Sequence, residues 1–549
     1  MENPVQQREL SISVVKNTSH AFGSHMNSSN WPPRLALVIT MAVFYPLASS
    51  AAPDIFRSWF TPTVVPTNFA GSVRFEAEIT ENPSSVVFNY NGVSRLMYND
   101  GSHGDLVAGD GVWTCLFTTG EIFARNLPNR VFRPFLGTCT PTNGGAFNTV
   151  AEVWTPQIGL VPITTNLAGT SLETDYVVNY VTTRAQLTNF NASFWANRFY
   201  TTHGDKYDFL NFVHIAGVRG NRYHAGVRNT VLGISTGTYS NSAAFGSAGR
   251  LLGYTVFPIS SFYDGASPAF SHETGHQWIN FLSGTPYAGG VPHWPRGNIA
   301  INVMGFSIPG TGAGGSFSYT FTPSGANYVV GPGIATNHST FNMMELYLAG
   351  LAAPSEVPTY FVLNNQNQTL ANGQVLTPAE FTLVNLSDVV AVRGPRVPDS
   401  TNSQKTFRCA TIILSEQLLD PYAMSFYDFF TRRIEATTPQ TYADGLATGT
   451  SNPWFLATSR RSVMFSKIAD EHPVLAITRL SSNDVRIQFT GKPGIRYQPQ
   501  LSVNLATWIN DGTDMLIPID SPMTNVATNF VRAVPLGPSQ SYYRLNLRY

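Results

Sequence analysis

The sequence predicts an α+β protein in which a mixed domain of helices and strands lies between two all-β domains. Residues 54–158 and 473–549 consist of short alternating apolar and polar runs with turn residues between them, which is the pattern of half-buried strands in a sandwich. Residues 160–470 combine strand-like and helix-like runs, as in folds that pack helices against a sheet. A chain of 549 residues is long enough for three such domains.

The N-terminal 51 residues are predicted to be an extension and a signal peptide. Arg34 precedes an apolar run, Leu35–Leu47, that is too short to span a membrane, and small residues follow it up to Ala51. We expect cleavage after Ala51, and Met26 is an alternative start that would give a signal peptide of ordinary length. The competing interpretation is a single membrane anchor. No later segment is long and apolar enough to span a membrane.

Charge and cysteine content limit the partners and the covalent scaffold. Lys+Arg and Asp+Glu number 33 each, so net charge gives no reason to expect a nucleic acid or an anionic membrane as a partner. Three cysteines are too few for a disulfide scaffold. In an oxidising compartment Cys115 and Cys139 could pair and leave Cys409 unpaired, and the sequence does not decide this.

The first domain is predicted to be an immunoglobulin-like sandwich with strands that include Ser72–Ile79 and Val112–Phe117. Between these strands, a loop with three aspartates resembles the Asp-Gly-rich loop of immunoglobulin-like domains in bacterial surface and secreted proteins. Asp100, Asp105 and Asp110 could bind Ca²⁺, which prefers several oxygen ligands. Asx-turns that fix a long hairpin loop are the preferred interpretation, because turn chemistry alone explains Asp-Gly pairs.

The middle domain contains a His-Glu-x-x-His motif on a helix predicted to cover Phe270–Leu282. Four residues of spacing place His272 and His276 on one helix face, so that both imidazoles can reach one metal ion at roughly 2.0–2.1 Å. Glu273 lies beside them, where it can take a proton from a water molecule at the metal. The motif therefore predicts a Zn²⁺ site and metal-dependent hydrolysis.

A third zinc ligand is needed, since catalytic zinc usually has three protein ligands and one open position. The metzincin continuation of the motif is excluded because Ile279 and Leu282 stand where that pattern needs glycine and histidine. His293, which lies between Pro292 and Trp294 in a loop, is the first candidate. Glu345, in an apolar helical run, is the second, either as a ligand or as an acceptor for the outward N–H of a helix histidine.

Other candidate groups receive less weight. His338 and Tyr347 lie near Glu345 in the sequence and are candidate donors to a transition state. Ser235 stands in a Gly-x-Ser-x-Gly match, but the polar segment that follows does not begin a helix, as a nucleophile elbow requires. The glycine-rich segment Met304–Ser318 lacks the Gly-Lys-Ser/Thr ending of a phosphate loop, and we interpret it as a loop beside the substrate.

Two resemblances extend this interpretation. The ordered motifs His272-Glu-x-x-His276-x-Trp278, His293-Trp294 and Glu345-Leu-Tyr-Leu-Ala-Gly-Leu351 resemble those of a family of secreted bacterial zincin-like metallopeptidases. That resemblance implies a zincin-like catalytic domain, bound zinc, a protein or peptide substrate and an extracellular or periplasmic location. The tail, with Asn504–Trp508 and a final Tyr-Arg-Leu, is similar to the C-terminal β-domain of secreted proteins of verrucomicrobial type.

The sequence thus leads to one main hypothesis and two alternatives. The main hypothesis is a secreted zinc peptidase in which Glu273 is the general base. The first alternative is a non-catalytic surface or adhesion protein whose middle domain is a degenerate peptidase that retains zinc. The second is a metal-dependent hydrolase of a non-peptide bond.

Overall fold

The computed structural model describes residues 52–548, apart from 63, 67–68, 91–92, 119, 122–134, 155–158, 167–168, 216–220, 259–260, 289–291, 309, 312, 316, 318, 333–338, 442–449, 470–474, 481–483, 492–494, 518–525 and 534–541. The predicted signal peptide, Met26, the cleavage site after Ala51 and His338 lie outside the described residues. Strands predominate over helices, which confirms the β-rich character expected from the sequence. No helix in the described part of the chain is long and apolar enough to cross a membrane.

The first domain consists of two sheets that enclose one core. Their strand orders are β1-β3-β6 and β2-β8-β7-β4-β5. The rings of Phe60, Phe75, Phe88 and Phe117 pack together between the sheets, with the centroids of Phe75 and Phe88 4.4 Å apart. This is the arrangement of a β-sandwich. The strands are β1 Ile55–Thr61, β2 Val64–Pro66, β3 Ser72–Ile79, β4 Val86–Tyr90, β5 Val93–Met97, β6 Val112–Thr118, β7 Phe135–Pro141 and β8 Phe147–Trp154.

The cysteines of this domain do not form a disulfide. Cys115 lies on β6 of one sheet and Cys139 on β7 of the other, and both are buried and free. The Sγ atom of Cys139 lies 3.6 Å from the Sδ atom of Met97. Cys409 is also free and buried. The three thiols therefore act as small apolar side chains in their cores.

The middle domain is organised around an eight-stranded sheet with the order β13-β16-β12-β24-β11-β10-β9, in which β27 also pairs with β24. Strands β16, β12, β24 and β11 are parallel to one another, and β13 at one edge is antiparallel to β16. The strands of this sheet are β9 Thr164–Asn166, β10 Ser171–Glu173, β11 Val177–Val181, β12 Phe209–His214, β13 Tyr223–Gly226, β16 Gly253–Phe257, β24 Thr406–Ser415 and β27 Val463–Phe465.

Both faces of this sheet are covered, which is the usual state of parallel sheets. Along β12, Phe209 and Val213 belong to one buried cluster and Leu210 and Phe212 to the cluster on the opposite face. Of the helices described in this domain, two cover the second face and five pack in the first and larger cluster. The helices are α1 Arg184–Thr188, α2 Ala192–Tyr200, α3 Pro268–Gly275, α4 Met343–Leu348, α5 Leu386–Arg393, α6 Pro421–Arg432 and α7 Trp454–Ala457.

Short strands and 3₁₀ turns complete the middle domain around these layers. The remaining strands are β14 Arg228–Asn229, β15 Tyr239–Ser240, β17 Phe306–Ser307, β18 Gly314–Gly315, β19 Thr320–Ser324, β20 Asn327–Gly331, β21 Tyr360–Leu363, β22 Val375–Leu376, β23 Phe381–Val384, β25 Gln440–Thr441 and β26 Thr450–Ser451. The 3₁₀ turns are Ser242–Phe245, Asn298–Ile301, Pro354–Glu356 and Arg433–Glu435.

The C-terminal part is again built from strands, in two small sheets. One has the order β28-β29-β33, and in the other β31, β32 and β34 all pair with β30. Its core includes Phe489 and Tyr497 and continues into Phe455 and Phe465 of the middle domain. The predicted domain boundaries stay predictions. The strands are β28 Ala476–Arg479, β29 Asp484–Gly491, β30 Arg496–Ser502, β31 Ile509–Asn510, β32 Met515–Leu516, β33 Val526–Ala533 and β34 Tyr542–Arg548.

A buried ion pair fixes the loop that leads into helix α3. The Nε atom of Arg433 lies 3.0 Å from Oδ1 of Asp264, and both side chains are almost fully buried. Asp264 also accepts a hydrogen bond from the backbone N–H of Ala266 at 3.0 Å. The pair thereby connects the residues before α3 to the end of helix α6.

We predict that Arg433→Met destabilises the middle domain by about 3–5 kcal/mol, because it removes the guanidinium that pairs with a buried carboxylate. Lys467→Met is the matched control, since Lys467 pairs with the exposed Asp175, and it should change the free energy of unfolding by about 0–1 kcal/mol. Urea unfolding followed by tryptophan fluorescence measures both values. Equal effects of the two substitutions would contradict the anchoring role of Arg433.

Candidate metal centre

Helix α3 holds the His-Glu-x-x-His motif and is shorter than the sequence predicts. Ser267 caps it by accepting the N–H of Phe270 at 3.3 Å, and Pro268 occupies its first turn. The helix was expected to reach Leu282 but ends at Gly275, with His276 as its C-cap. Gly275 permits close packing, because a Cβ atom there would lie 2.9 Å from side-chain atoms of Met304 and Phe341.

The early end of α3 has a tertiary cause. The N–H of Trp278 bonds the carbonyl of Gly275 at 3.0 Å, which tightens the last turn. Asn280 then turns away from the helix axis, since its N–H donates to Pro292 at 3.0 Å and its amide donates to Tyr287 at 3.1 Å. These bonds connect the end of the helix to the loop that contains His293.

Three imidazoles converge at the end of α3. The Nε2 atom of His272 lies 3.1 Å from Nε2 of His276 and 3.1 Å from Nε2 of His293. Within the described ranges, these three residues form the group of His, Cys, Asp and Glu side chains with metal-binding spacing. The structure thus brings together the two helix histidines and the first candidate for the third ligand.

The outward ring nitrogens determine which way the lone pairs point. Nδ1 of His272 lies 2.7 Å from the carbonyl oxygen of Val303, and Nδ1 of His276 lies 2.8 Å from that of Ile279. A carbonyl only accepts, so both Nδ1 atoms carry hydrogen and both Nε2 atoms present lone pairs. Nδ1 of His293 lies 3.0 Å from the hydroxyl of Ser307. The nitrogen lone pairs of these side chains therefore face one another, and a cation between them stabilises this arrangement.

The donor set fits zinc in geometry and in charge. A tetrahedral zinc with Zn–N bonds of about 2.0–2.1 Å holds its nitrogen ligands about 3.3 Å apart, close to the 3.1 Å observed. Burial lowers the pKa of His272 to about 3 and also lowers the pKa of His276 and of His293. All three rings are thus neutral near pH 7, the form in which histidine binds metals.

Glu345 lies outside this cluster, so the structure supports neither role predicted for it. Its Oε1 accepts the indole N–H of Trp294 at 2.7 Å, and its Oε2 accepts the N–H of Asn342 at 2.7 Å in the capping box of α4. The outward nitrogens of His272 and His276 bond backbone carbonyls instead. Burial raises the pKa of Glu345 to about 8, and N–H donors limit that rise.

The role of Glu345 is to position His293 through the next residue in the chain. Trp294 is fully buried, and its indole is fixed by Glu345. The backbone N–H of Trp294 donates to the carbonyl of Gly305, and the carbonyl of Trp294 accepts the N–H of Ser307. The hydroxyl of Ser307 lies next to Nδ1 of His293. The carbonyl of His293 accepts from the amide of Asn280 at 3.3 Å. The third imidazole is thus held from both sides.

Glu273 lies beside the histidines and forms an ion pair that the sequence did not indicate. Nε of Arg222 donates to Oε1 of Glu273 at 2.9 Å, and the arginine side chain is 42% exposed whereas the glutamate is 6% exposed. Burial raises the pKa of Glu273 to about 7, and Arg222 opposes this rise. Arg222 lies 51 residues before Glu273, so only the fold brings them together.

The histidines and Glu273 line a cleft of about 450 Å³. Strand β13 forms one wall of the cleft. Gln277, just after helix α3, connects to this strand, since its Oε1 lies 3.0 Å from Nε2 of His224. The Nε2 of the same amide donates to the carbonyl of Arg228 at 2.9 Å. The other described wall residues are Arg222, Tyr223, Gly226, Asn229, Thr236, Tyr239, Phe281 and Pro292.

Other predicted site residues lie elsewhere. The hydroxyl of Tyr347 accepts the N–H of Arg396 at 2.9 Å in the core, and Tyr347 does not line the cleft. Ser235 has a φ of 69°, but strand β15 follows it and no helix does. Thus Tyr347 cannot serve as the predicted donor in this conformation, and Ser235 lacks the strand-to-helix setting of a nucleophile elbow.

The aspartates of the proposed calcium loop bond the backbone of their own loop. Asp100 accepts the N–H of Ser102 at 2.9 Å, Asp105 that of Gly101 at 2.7 Å, and Asp110 that of Val112 at 2.8 Å. The bonds of Asp100 and Asp110, each to the N–H two residues further on, are typical of Asx-turns, whereas Asp105 bonds back across the loop. The three carboxylates do not form a group with metal-binding spacing among the residues that the structure describes.

We predict that Glu345→Gln lowers the free energy of unfolding by about 1–3 kcal/mol, because the new amide group leaves one buried N–H without an acceptor. Metal stoichiometry should remain that of the parent protein. Glu356→Gln is the matched control, because Glu356 is half-exposed and pairs with Arg461, and it should cost about 0–1 kcal/mol. Urea unfolding and metal analysis measure these effects, and a loss of metal at unchanged stability would make Glu345 a ligand.

The chain was also compared with known proteins. No protein-family model, no curated protein and no solved structure matches it. The interpretation of the site therefore depends on its residues and their geometry.

Proposed function

We propose that the protein is a zinc-dependent peptidase with a zincin-like catalytic domain, in which His272, His276 and His293 bind the metal. The observation that supports this most directly is the convergence of three imidazoles beside a buried carboxylate in an open cleft, with Nε2 of His272 3.1 Å from Nε2 of each of the other two. Such a site offers three protein ligands and space for water and substrate, as catalytic zinc sites do. The proposal includes export of the protein.

The residues around the metal position have separate tasks. Zinc, when bound, supplies a Lewis acid that activates water and polarises a carbonyl group. Glu273 takes the proton from the attacking water and delivers it to the leaving amine. The carbonyls of Val303 and Ile279 hold the tautomers of His272 and His276 by accepting their Nδ1–H groups.

An extended peptide is the substrate that the cleft favours. Strand β13 has a strand neighbour on one side only within the described sheet, and Tyr223, His224 and Gly226 of this strand line the cleft. A free strand edge can bond the backbone of an extended chain. This feature favours peptide hydrolysis over hydrolysis of a non-peptide bond. A buried Glu273 beside the metal ligands favours catalysis over a purely adhesive role, because structural zinc needs no general base.

We predict that Glu273→Gln retains zinc and reduces peptide hydrolysis by about 10²–10⁴-fold, the usual contribution of a general base. The measurement is cleavage of casein or a fluorogenic peptide library by the zinc-loaded protein, with and without a chelator. Glu356→Gln, at a half-exposed position remote from the cleft lining, should retain the parent rate. Cleavage by Glu273→Gln at the parent rate would exclude this mechanism. Absence of chelator-sensitive cleavage by the parent would exclude the peptidase.

We predict that His293→Ala weakens zinc binding by about 10²-fold or more, because it removes one of three ligands. His103→Ala is the control, since His103 lies in the aspartate-rich loop of the first domain and should leave zinc affinity unchanged. Competition against a chromophoric chelator measures both affinities. Unchanged zinc affinity in His293→Ala would show that another residue completes the site.

A further inference from the structure

Arg222 is attached to the catalytic cleft by one of its nitrogen atoms only. Its Nε donates to Glu273, and its terminal amino groups donate to no residue that the structure describes. Nearby arginines differ in this respect. Nη1 of Arg228 bonds the carbonyl of Gly249, and Arg250 pairs with Asp208. Arg222 therefore has unused donors at the surface of the cleft.

The orientation of Arg222 is fixed by the ion pair, and its exposure leaves it accessible. The side chain is 42% exposed although its partner Glu273 is buried. A guanidinium held at Nε keeps two terminal nitrogens in one plane, and this fork matches the two oxygens of a carboxylate. A side chain already held in place loses little entropy when it binds a ligand.

The charged residues of the cleft lining also favour an acidic ligand. Among the described residues that line it, Glu273 is the acid and Arg222 the guanidinium. Glu273 is already paired with Arg222 through Nε of the guanidinium. An acidic group on a substrate would thus meet the two terminal nitrogens of Arg222 as donors. The described lining contains no acid other than Glu273 that would repel it.

We propose that Arg222 is a specificity-determining residue that binds a substrate carboxylate, so that the enzyme prefers peptides with an acidic side chain near the cleaved bond. This inference rests on the proposed peptidase function and names the substrate class of the same cleft. The alternative task for Arg222 is to orient Glu273 alone. Such a role would affect all substrates equally.

The test uses pairs of peptides that are identical except for Glu or Gln at one position near the cleaved bond. The full chain loaded with zinc should cleave the Glu peptide with a kcat/KM about tenfold or more above that of the Gln peptide, as a charge-assisted hydrogen bond implies. Arg222→Gln should bring this ratio close to one through a higher KM for the Glu peptide. Arg222→Lys, which keeps the charge but lacks the fork, should retain part of the preference.

Arg496→Gln is the matched control, because Arg496 is a half-exposed arginine that pairs with Asp514 in the C-terminal part, and it should retain the full preference. A ratio near one in the parent, or an equal loss of kcat for both peptides in Arg222→Gln, would overturn the inference while leaving the peptidase intact. A second readout does not need turnover. Calorimetric binding of the same peptide pair, with the cleaved amide replaced by a methylene amine, should show the same preference in the parent and in Arg496→Gln but not in Arg222→Gln. Equal affinities of the parent for the two peptides would overturn the inference.

Discussion

The arrangement of the middle domain depends on one electrostatic constraint, which is that neutral imidazoles present their lone pairs to one another in the wall of the cleft. This arrangement is unfavourable unless a cation lies between them, and the surrounding backbone maintains it by accepting the opposite N–H groups. Three features maintain the convergence of the imidazoles. They are the position at which α3 ends, the hydrogen bonds of Asn280 and the hydrogen bond that fixes Trp294. The sheet provides the rigid support on which these parts are held.

The sequence predicted those parts of the site that depend on short-range spacing. His272 and His276 are one helical turn apart, so their common direction follows from helix geometry alone. The choice between His293 and Glu345 could not be made from the sequence, because both are polar residues within apolar segments. Glu345 is buried and its carboxylate accepts the indole N–H of Trp294, a contact that neither predicted role included. Arg222 gave no signal, since its contact with Glu273 requires the register of β13 against β16.

The predicted bounds of strands and helices differ in the same way. Those that the local sequence pattern determines agree with the structure, and those that tertiary contacts determine do not. Strand β3 has the bounds that alternation predicts, Ser72–Ile79, and strand β6 extends one residue beyond the predicted Val112–Phe117. Helix α3 was predicted too long because Trp278 and Ile279 continue its apolar pattern. In the structure these side chains are buried beyond the end of the helix, where bonds of Asn280 to Tyr287 and His293 replace helical ones.

The bond between Glu345 and Trp294 has a consequence for the stage of folding at which the histidine cluster is complete. The helix histidines are neighbours in the chain, but His293 takes its place only when residues near 294, 305 and 345 have met in the core. A chain that is still folding therefore has two ligands and an open third position. On the proposed function, hydrolysis begins only after the domain is complete, which restrains an immature copy from attacking its neighbours.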